Sequence, residues 1–292
     1  MTAPSPVPPA RRFRELLARP GLIRSLGAHD VLSALIMEQA GLEMIFLGGF
    51  GASASLLGLP DLNLITQTEM AEAVRRTTAR VTIPVIADAD TGHGGALNVA
   101  RTVELFEAAG AAGLLLEDQV APKRCGHFAD KQVVPRAEFL ARIRAAVQAR
   151  RHPDFTLFAR TDARATHGLD EAIDRMNAAA DAGADVAFVE APRSREELAA
   201  IPRRVRLPVL ANMLTGGVTP ILSCDELAAL GYKLAVAPVE SLEVCARALR
   251  DLCAAWQTGG RVDALAAQAM PFAELKDLLG VDRYLARDRN AS

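Results

Sequence analysis

The chain has 292 residues and a formal charge of −2, and it is 50% hydrophobic but only 4% aromatic, which suits one enzyme-sized domain with a large aliphatic core. So even a charge balance gives no electrostatic reason to expect nucleic acid or an anionic membrane as partner. Four cysteines without paired spacing argue for a reducing compartment over a disulfide framework, and no apolar run approaches a signal or membrane segment, so a cytoplasmic protein is expected.

Residues 1–20 form a proline-rich start followed by a short helix over Arg11–Arg19, an extension that is disordered or helical. From 21 to 260 one unit recurs, a helix ending in Ala-Gly or Leu-Gly and then a short apolar strand: Gln39–Gly48, Ala108–Asp118, Asp181–Ala191 and Ala229–Pro238. Glycine there supplies the left-handed residue that closes a helix. Apolar runs at Leu22–Ala28, Ile83–Asp90, Phe155–Asp162 and Leu207–Met213 complete eight strands. Amphipathic stretches separate them at Asp30–Ala40, Gln67–Arg80, Leu97–Ala109, Arg136–Arg150, Leu169–Ala182 and Glu243–Gln257. Continuous apolar strands alternating with helices predict an α/β fold, a (β/α)8 TIM-type barrel, with residues 261–292 as a C-terminal helical extension. An open doubly wound sheet is the alternative, and no GxGxxG turn supports it.

In such a barrel the chemistry sits where strands finish. The strand ends read Gly48 and Gly49, Asp88 and Asp90, Glu117 and Asp118, Arg160 and Asp162, Glu190, and Asn212; Asp118 and Asp162 also read as helix caps. Asp88 and Asp90, one residue apart, would point the same way on an extended strand. With Glu117 they make an incompletely filled all-oxygen site of the kind Mg2+ or Mn2+ uses; zinc lacks a second Cys/His pair. In the segment LEDQVAPKRCGH (116–127), Cys125 has Lys123, Arg124 and His127 within two positions, neighbours that favour a thiolate or easy proton exchange. The plain alternative is a basic surface loop.

The motifs LGLPDLNLIT (57–66), ADADTGHGG (87–95), LEDQVAPKRCGH (116–127), ARTDA (159–163), FVEAP (188–192) and ANMLTGG (211–217) together resemble the isocitrate lyase and phosphoenolpyruvate mutase superfamily from Leu22 to about residue 259. The KRCGH loop is similar to that of its lyase branch, which splits carbon–carbon bonds of 2-hydroxy di- and tricarboxylates. The resemblance implies magnesium held directly by Asp88 and supported largely through water by Asp61, Asp90 and Glu117. It implies an oxo or hydroxy acid bound by the backbone of Gly48, Gly49 and Phe50, by Arg160, Glu190 and Asn212, and beside Gly126. It implies Cys125 as general acid on a mobile loop, with Lys123, Arg124 and His127 setting its proton affinity, and a barrel that swaps a C-terminal helix between subunits of a homotetramer, a dimer of dimers.

Departures narrow the expected substrate. The methylisocitrate lyase branch has an arginine where Glu243 aligns, and Ser-Gly-Gly where this chain has Gly48-Gly49-Phe50. The closer likeness is to 2-alkylmalate, 2,3-dimethylmalate and petal-death-type lyases, which share ARTDARA-x-HGL and VEAP. Alternatives are oxaloacetate cleavage, whose enzymes carry a serine where Glu240 or Ser241 aligns, should Ser241 be the one that faces the site, methylisocitrate cleavage, a carboxyvinyl-carboxyphosphonate phosphorylmutase, and a silent dicarboxylate-binding barrel.

Overall fold

The apolar runs of the sequence become β1 (Ile23–Ala28), β2 (Ile45–Leu47), β3 (Val85–Asp88), β4 (Gly113–Glu117), β5 (Thr156–Thr161), β6 (Val186–Val189), β7 (Val209–Asn212) and β8 (Leu234–Ala237). They pair in parallel in chain order, and β1 against β8 closes the barrel. The computed structural model describes residues 7–124, 126 and 130–291. The strands are shorter than the apolar runs because pairing stops where the chain must turn. In Ile83–Asp90, Pro84 brings no N–H to the ladder, the strand ends at Asp88, and Asp90 already has a left-handed φ of 48°.

Two packed layers hold the barrel. Inside it Ile23, Met44, Phe46, Ile86, Leu115, Phe158 and Phe188 form one cluster, and a larger one lies between the strands and the outer helices. Sequence-coded caps fix where those helices begin: Asp30 and Ser33, Thr66 and Glu69, and Ser223 and Glu226 form reciprocal capping boxes. The recurrent glycines end them as expected, with φ of 85°, 89°, 99° and 97° at Gly41, Gly110, Gly183 and Gly231.

The N-terminal helix, Pro9–Ala18, does more than extend the chain. Phe13 is fully buried within the inner cluster, its ring 5.8 Å from that of Phe158. Arg14 donates to the Asp154 carbonyl and pairs with Asp185 at 2.8 Å. Both partners precede their strands, so this helix plugs the end where the strands start. The opening therefore lies at the opposite end, where they finish.

The chain separates into two compact units at Ser241/Leu242, within the last long helix (Glu240–Gly259) and ahead of the boundary at residue 260 that the strand count suggests. Leu242–Ser292 comprises most of that helix, a 3-10 segment and the helices Phe272–Leu279 and Val281–Ala291. It exposes Val244, Leu249, Trp256 and Phe272. Among the described residues no helix is long and apolar enough to cross a membrane.

Candidate active site

The strand ends deliver their polar residues to one pocket. Its wall includes Gly48, Gly49, Phe50, Asp61, Asp88, Gly126, Arg160, Glu190 and Asn212, all named from the sequence. Asp88 ends β3, accepting from the Gly49 N–H at 3.1 Å and from the Asp90 N–H at 3.0 Å. The helix Gly49–Ala52 thereby starts directly over the carboxylates, and a Cβ at Gly49 would lie 3.2, 3.3 and 3.6 Å from oxygens of Asp90, Asp88 and Asp61. Asp88 and Asp90 do converge, though not along one strand face: the turn at Asp90 brings its side chain round.

Lys123 enters this cluster as a buried cation, its Nζ 2.5 Å from Asp61 Oδ1 and 2.9 Å from Asp90 Oδ1. Burial pulls its proton affinity down, but Asp90, Glu117, Asp88 and Asp61 outweigh that and hold it well above the usual lysine range. Lys123 is thus a fixed counter-charge. Burial raises Asp90 to a pKa of about 6, with Asp88 and Asp61 adding to the effect and Lys123 opposing it. Asn63, itself in the left-handed region, donates to the other Asp90 oxygen at 3.3 Å.

Glu117 ends β4 and is 1% exposed. Burial pushes its carboxyl well above the usual range against the pull of Arg160 and Lys123. One of its oxygens lies 3.2 Å from Arg160 Nε, and the other, Oε1, has no hydrogen-bond partner among the described residues. Arg160, on β5, also meets Asp162 at 3.0 Å and Glu190 at 3.1 Å, and lies over the Phe188 ring, 5.3 Å from its centroid. Glu190 in turn takes the Ala191 N–H at 2.9 Å and the Asn212 amide at 3.4 Å.

A divalent cation fits this donor set in one particular way. Among the described residues no three acidic, imidazole or thiol side chains come close enough to cage an ion by themselves. Asp61, Asp88, Asp90 and Glu117 nevertheless outnumber Lys123 and Arg160 here, and Glu117 keeps a buried oxygen without a partner among the described residues. That is the environment of an ion held by one or two carboxylates plus water and substrate oxygens, as Mg2+ prefers.

The rest of the pocket is apolar. Phe46, Phe188, Leu210, Leu214, Val236, Pro238 and Val239 face the charged residues. This wall carries no motif, since its members are ordinary strand and loop apolars whose direction only the closed barrel reveals. Asp118 and Asp162 are not simple helix caps. Asp118 accepts from Thr161 Oγ, the Asp162 N–H and Arg175, while Asp162 makes no side-chain cap bond and instead meets Arg160 and Lys131. Lys131 belongs to none of the sequence motifs and reads there only as a lysine beside a polar loop. Ser241 does not line the pocket; its hydroxyl donates to the Gly27 carbonyl and sits 3.2 Å from a His29 ring nitrogen. Cys125 and His127 lie outside the described residues.

A closed parallel barrel with carboxylates and two buried cations at the carboxyl ends of its strands defines an α/β-barrel enzyme. The chain belongs to the phosphoenolpyruvate phosphomutase family, whose model matches residues 13–257. It is 41% identical to 2,3-dimethylmalate lyase of Eubacterium barkeri, covering 96% of this chain and 97% of that one. It is 44% identical to the chloroplastic carboxyvinyl-carboxyphosphonate phosphorylmutase of Arabidopsis thaliana, covering 94% and 82%. A solved oxaloacetate acetylhydrolase bound to 3,3-difluorooxalacetate superimposes with a TM-score of 0.92 at 36% identity, over 97% of this chain and 96% of that one. A phosphonopyruvate hydrolase solved with oxalate and Mg2+ gives 0.86 at 30%, over 96% and 98%. The named members of this isocitrate lyase/phosphoenolpyruvate mutase superfamily thus include carbon–carbon lyases and phosphorylmutases.

Proposed function

We propose that this protein is a magnesium-dependent carbon–carbon lyase acting on 2-hydroxy dicarboxylates of the 2-alkylmalate or 2,3-dimethylmalate type. The observation that carries the reading is the division of the pocket: Arg160 is the one cation among its described lining residues, and an apolar wall from Phe46 to Val239 faces it. A substrate with alkyl groups satisfies both halves. A third carboxylate, as in methylisocitrate, would have no cation against that wall and would pay its full desolvation cost. The oxaloacetate reading loses the serine it called on, because Ser241 is spent on Gly27 and His29.

When bound, magnesium would supply a Lewis-acid hold on substrate oxygens beside Asp88, with Asp61, Asp90 and Glu117 around it. Arg160, fixed by Glu117, Asp162 and Glu190, grips a substrate carboxylate. As the 2-hydroxyl passes its proton to a carboxylate of the site, the C2–C3 bond breaks, C2 becomes the carbonyl carbon of the oxo acid, and the bonding pair stays on the C3 fragment as a carboxylate enolate. Cys125 returns a proton to C3, with Lys123, Arg124 and His127 tuning its affinity. For 2,3-dimethylmalate the products are pyruvate and propionate. The exposed apolar residues of Leu242–Ser292 support a homotetramer, a dimer of dimers, in which that segment is exchanged between subunits.

The deciding assay incubates the protein and Mg2+ with 2-alkylmalates, 2-methylisocitrate and oxaloacetate, with and without EDTA, and identifies products. We expect EDTA-sensitive cleavage of 2,3-dimethylmalate; turnover of oxaloacetate alone would replace this reading with the acetylhydrolase one.

A further inference from the structure

Lys131 is a buried lysine that belongs neither to the motifs nor to the pocket wall. Its side chain is 3% exposed, and its Nζ donates both to Asp162 Oδ1 at 2.6 Å and to the carbonyl of Gly126. Each partner leads to Arg160. Asp162 Oδ2 lies 3.0 Å from Arg160 Nε. Gly126 presses so closely on the Arg160–Glu190 pair that a Cβ there would stand 2.4 Å from Arg160 Nη2 and 2.4 Å from Glu190 Oε2.

We propose that Lys131 is a positioning residue for the carboxylate end of the pocket: it pins the Gly126 backbone against the Arg160–Glu190 pair and serves as counter-charge to Asp162, leaving Arg160 electrostatically available to a substrate carboxylate. Arg160 has three carboxylates within 3.2 Å. A cation so surrounded attracts a further anion weakly, because at these separations in a poorly screened interior each charge counts. A second cation on Asp162 offsets one of the three. The bond to Gly126 has a separate effect. Charge-assisted hydrogen bonds are short and directional, and this one fixes a backbone carbonyl whose own residue has no room for a side chain. A lysine kept only for stability would need Asp162 alone, and a buried ion pair is in any case weak evidence of stabilisation.

The inference rests on reading the pocket as a carboxylate site, so its test carries a readout independent of turnover. Full-length Lys131→Met, Lys131→Gln and Lys131→Arg are compared with the parent in oxalate binding with Mg2+ by calorimetry, in tryptic cleavage after Arg124 followed by mass spectrometry, and in kcat and KM on the cleaved substrate. Lys131→Met should weaken oxalate binding and raise KM by about tenfold or more, and speed cleavage after Arg124. Lys131→Gln, which keeps a donor for the Gly126 carbonyl without the charge, should bind oxalate as weakly as Lys131→Met but be cut slowly; it also serves should Lys131→Met not fold. Lys131→Arg should restore both. Oxalate affinity within about threefold of the parent in Lys131→Met and Lys131→Gln, or unchanged cleavage in Lys131→Met, would overturn the proposal. Failure of the parent to bind oxalate would remove the carboxylate reading itself, while the cleavage comparison would still decide the Lys131–Gly126 half.

Discussion

At the floor of the barrel Phe13 is fully buried on the Phe158 ring, and the charges beside it are paired, Arg14 and Arg150 each with Asp185. At the mouth Glu117 is 1% exposed yet keeps an oxygen with no hydrogen-bond partner among the described residues, and burial lifts Asp90 to a pKa of about 6. The same strands run between the two. At one end opposite charges meet in pairs. At the other, like charges are held together at a cost, which is where groups of perturbed proton affinity gather for chemistry. Loss of a side chain should therefore appear chiefly as lost stability at the floor and as lost activity at the mouth.

Arg160→Met should blur that division most. It removes the cation shared by Glu117, Asp162 and Glu190, so stability in urea should fall by about 3 kcal/mol or more and turnover by at least about 10²-fold. Unchanged stability would mean that Arg160 is not the counter-charge holding these carboxylates. Phe13→Ala restores the division. Emptying a fully buried phenylalanine site should cost about 3–5 kcal/mol, while kcat/KM measured below the unfolding range stays as in the parent. An activity loss there would show that the floor and the mouth are mechanically coupled.

Much of this contrast was legible in the sequence because it depends on pattern. Apolar runs ended by glycine predicted the strands and the barrel, and the barrel predicted that Asp88, Glu117, Arg160, Glu190 and Asn212 meet. What stayed hidden depends on direction in space. Phe13 is one apolar residue in the short helix that follows a proline-rich start, and nothing local says that this helix turns under the barrel. The apolar wall is made of strand and loop residues that the sequence cannot sort into those facing the pocket and those facing helices. Asp90 reads as the continuation of an extended strand, whereas its left-handed φ of 48° puts it on a turn. Lys131 is separated in sequence from both Asp162 and Arg160, and a lone lysine near a loop carries no signal until the fold brings it under them.

A side chain at the mouth end that lies apart from the charged cluster should behave like a floor residue, with a smaller loss. The segment after β6 holds Glu190 and, four positions on, Ser194, whose hydroxyl accepts from the Glu197 N–H at 3.2 Å to cap the helix Arg195–Arg204. Ser194→Ala removes that cap and should cost about 1 kcal/mol. The loss stays small because the Glu197 carboxylate still accepts the Arg193 N–H at 2.7 Å and holds Arg164 at 2.5 Å, so the helix start keeps its other anchors. Ser194 is not among the described residues that line the pocket, so kcat/KM should equal that of the parent. Thermal unfolding and steady-state kinetics on one preparation measure both. A drop in activity approaching that of Arg160→Met would mean that the integrity of this whole end, rather than contact with the charged cluster, sets function.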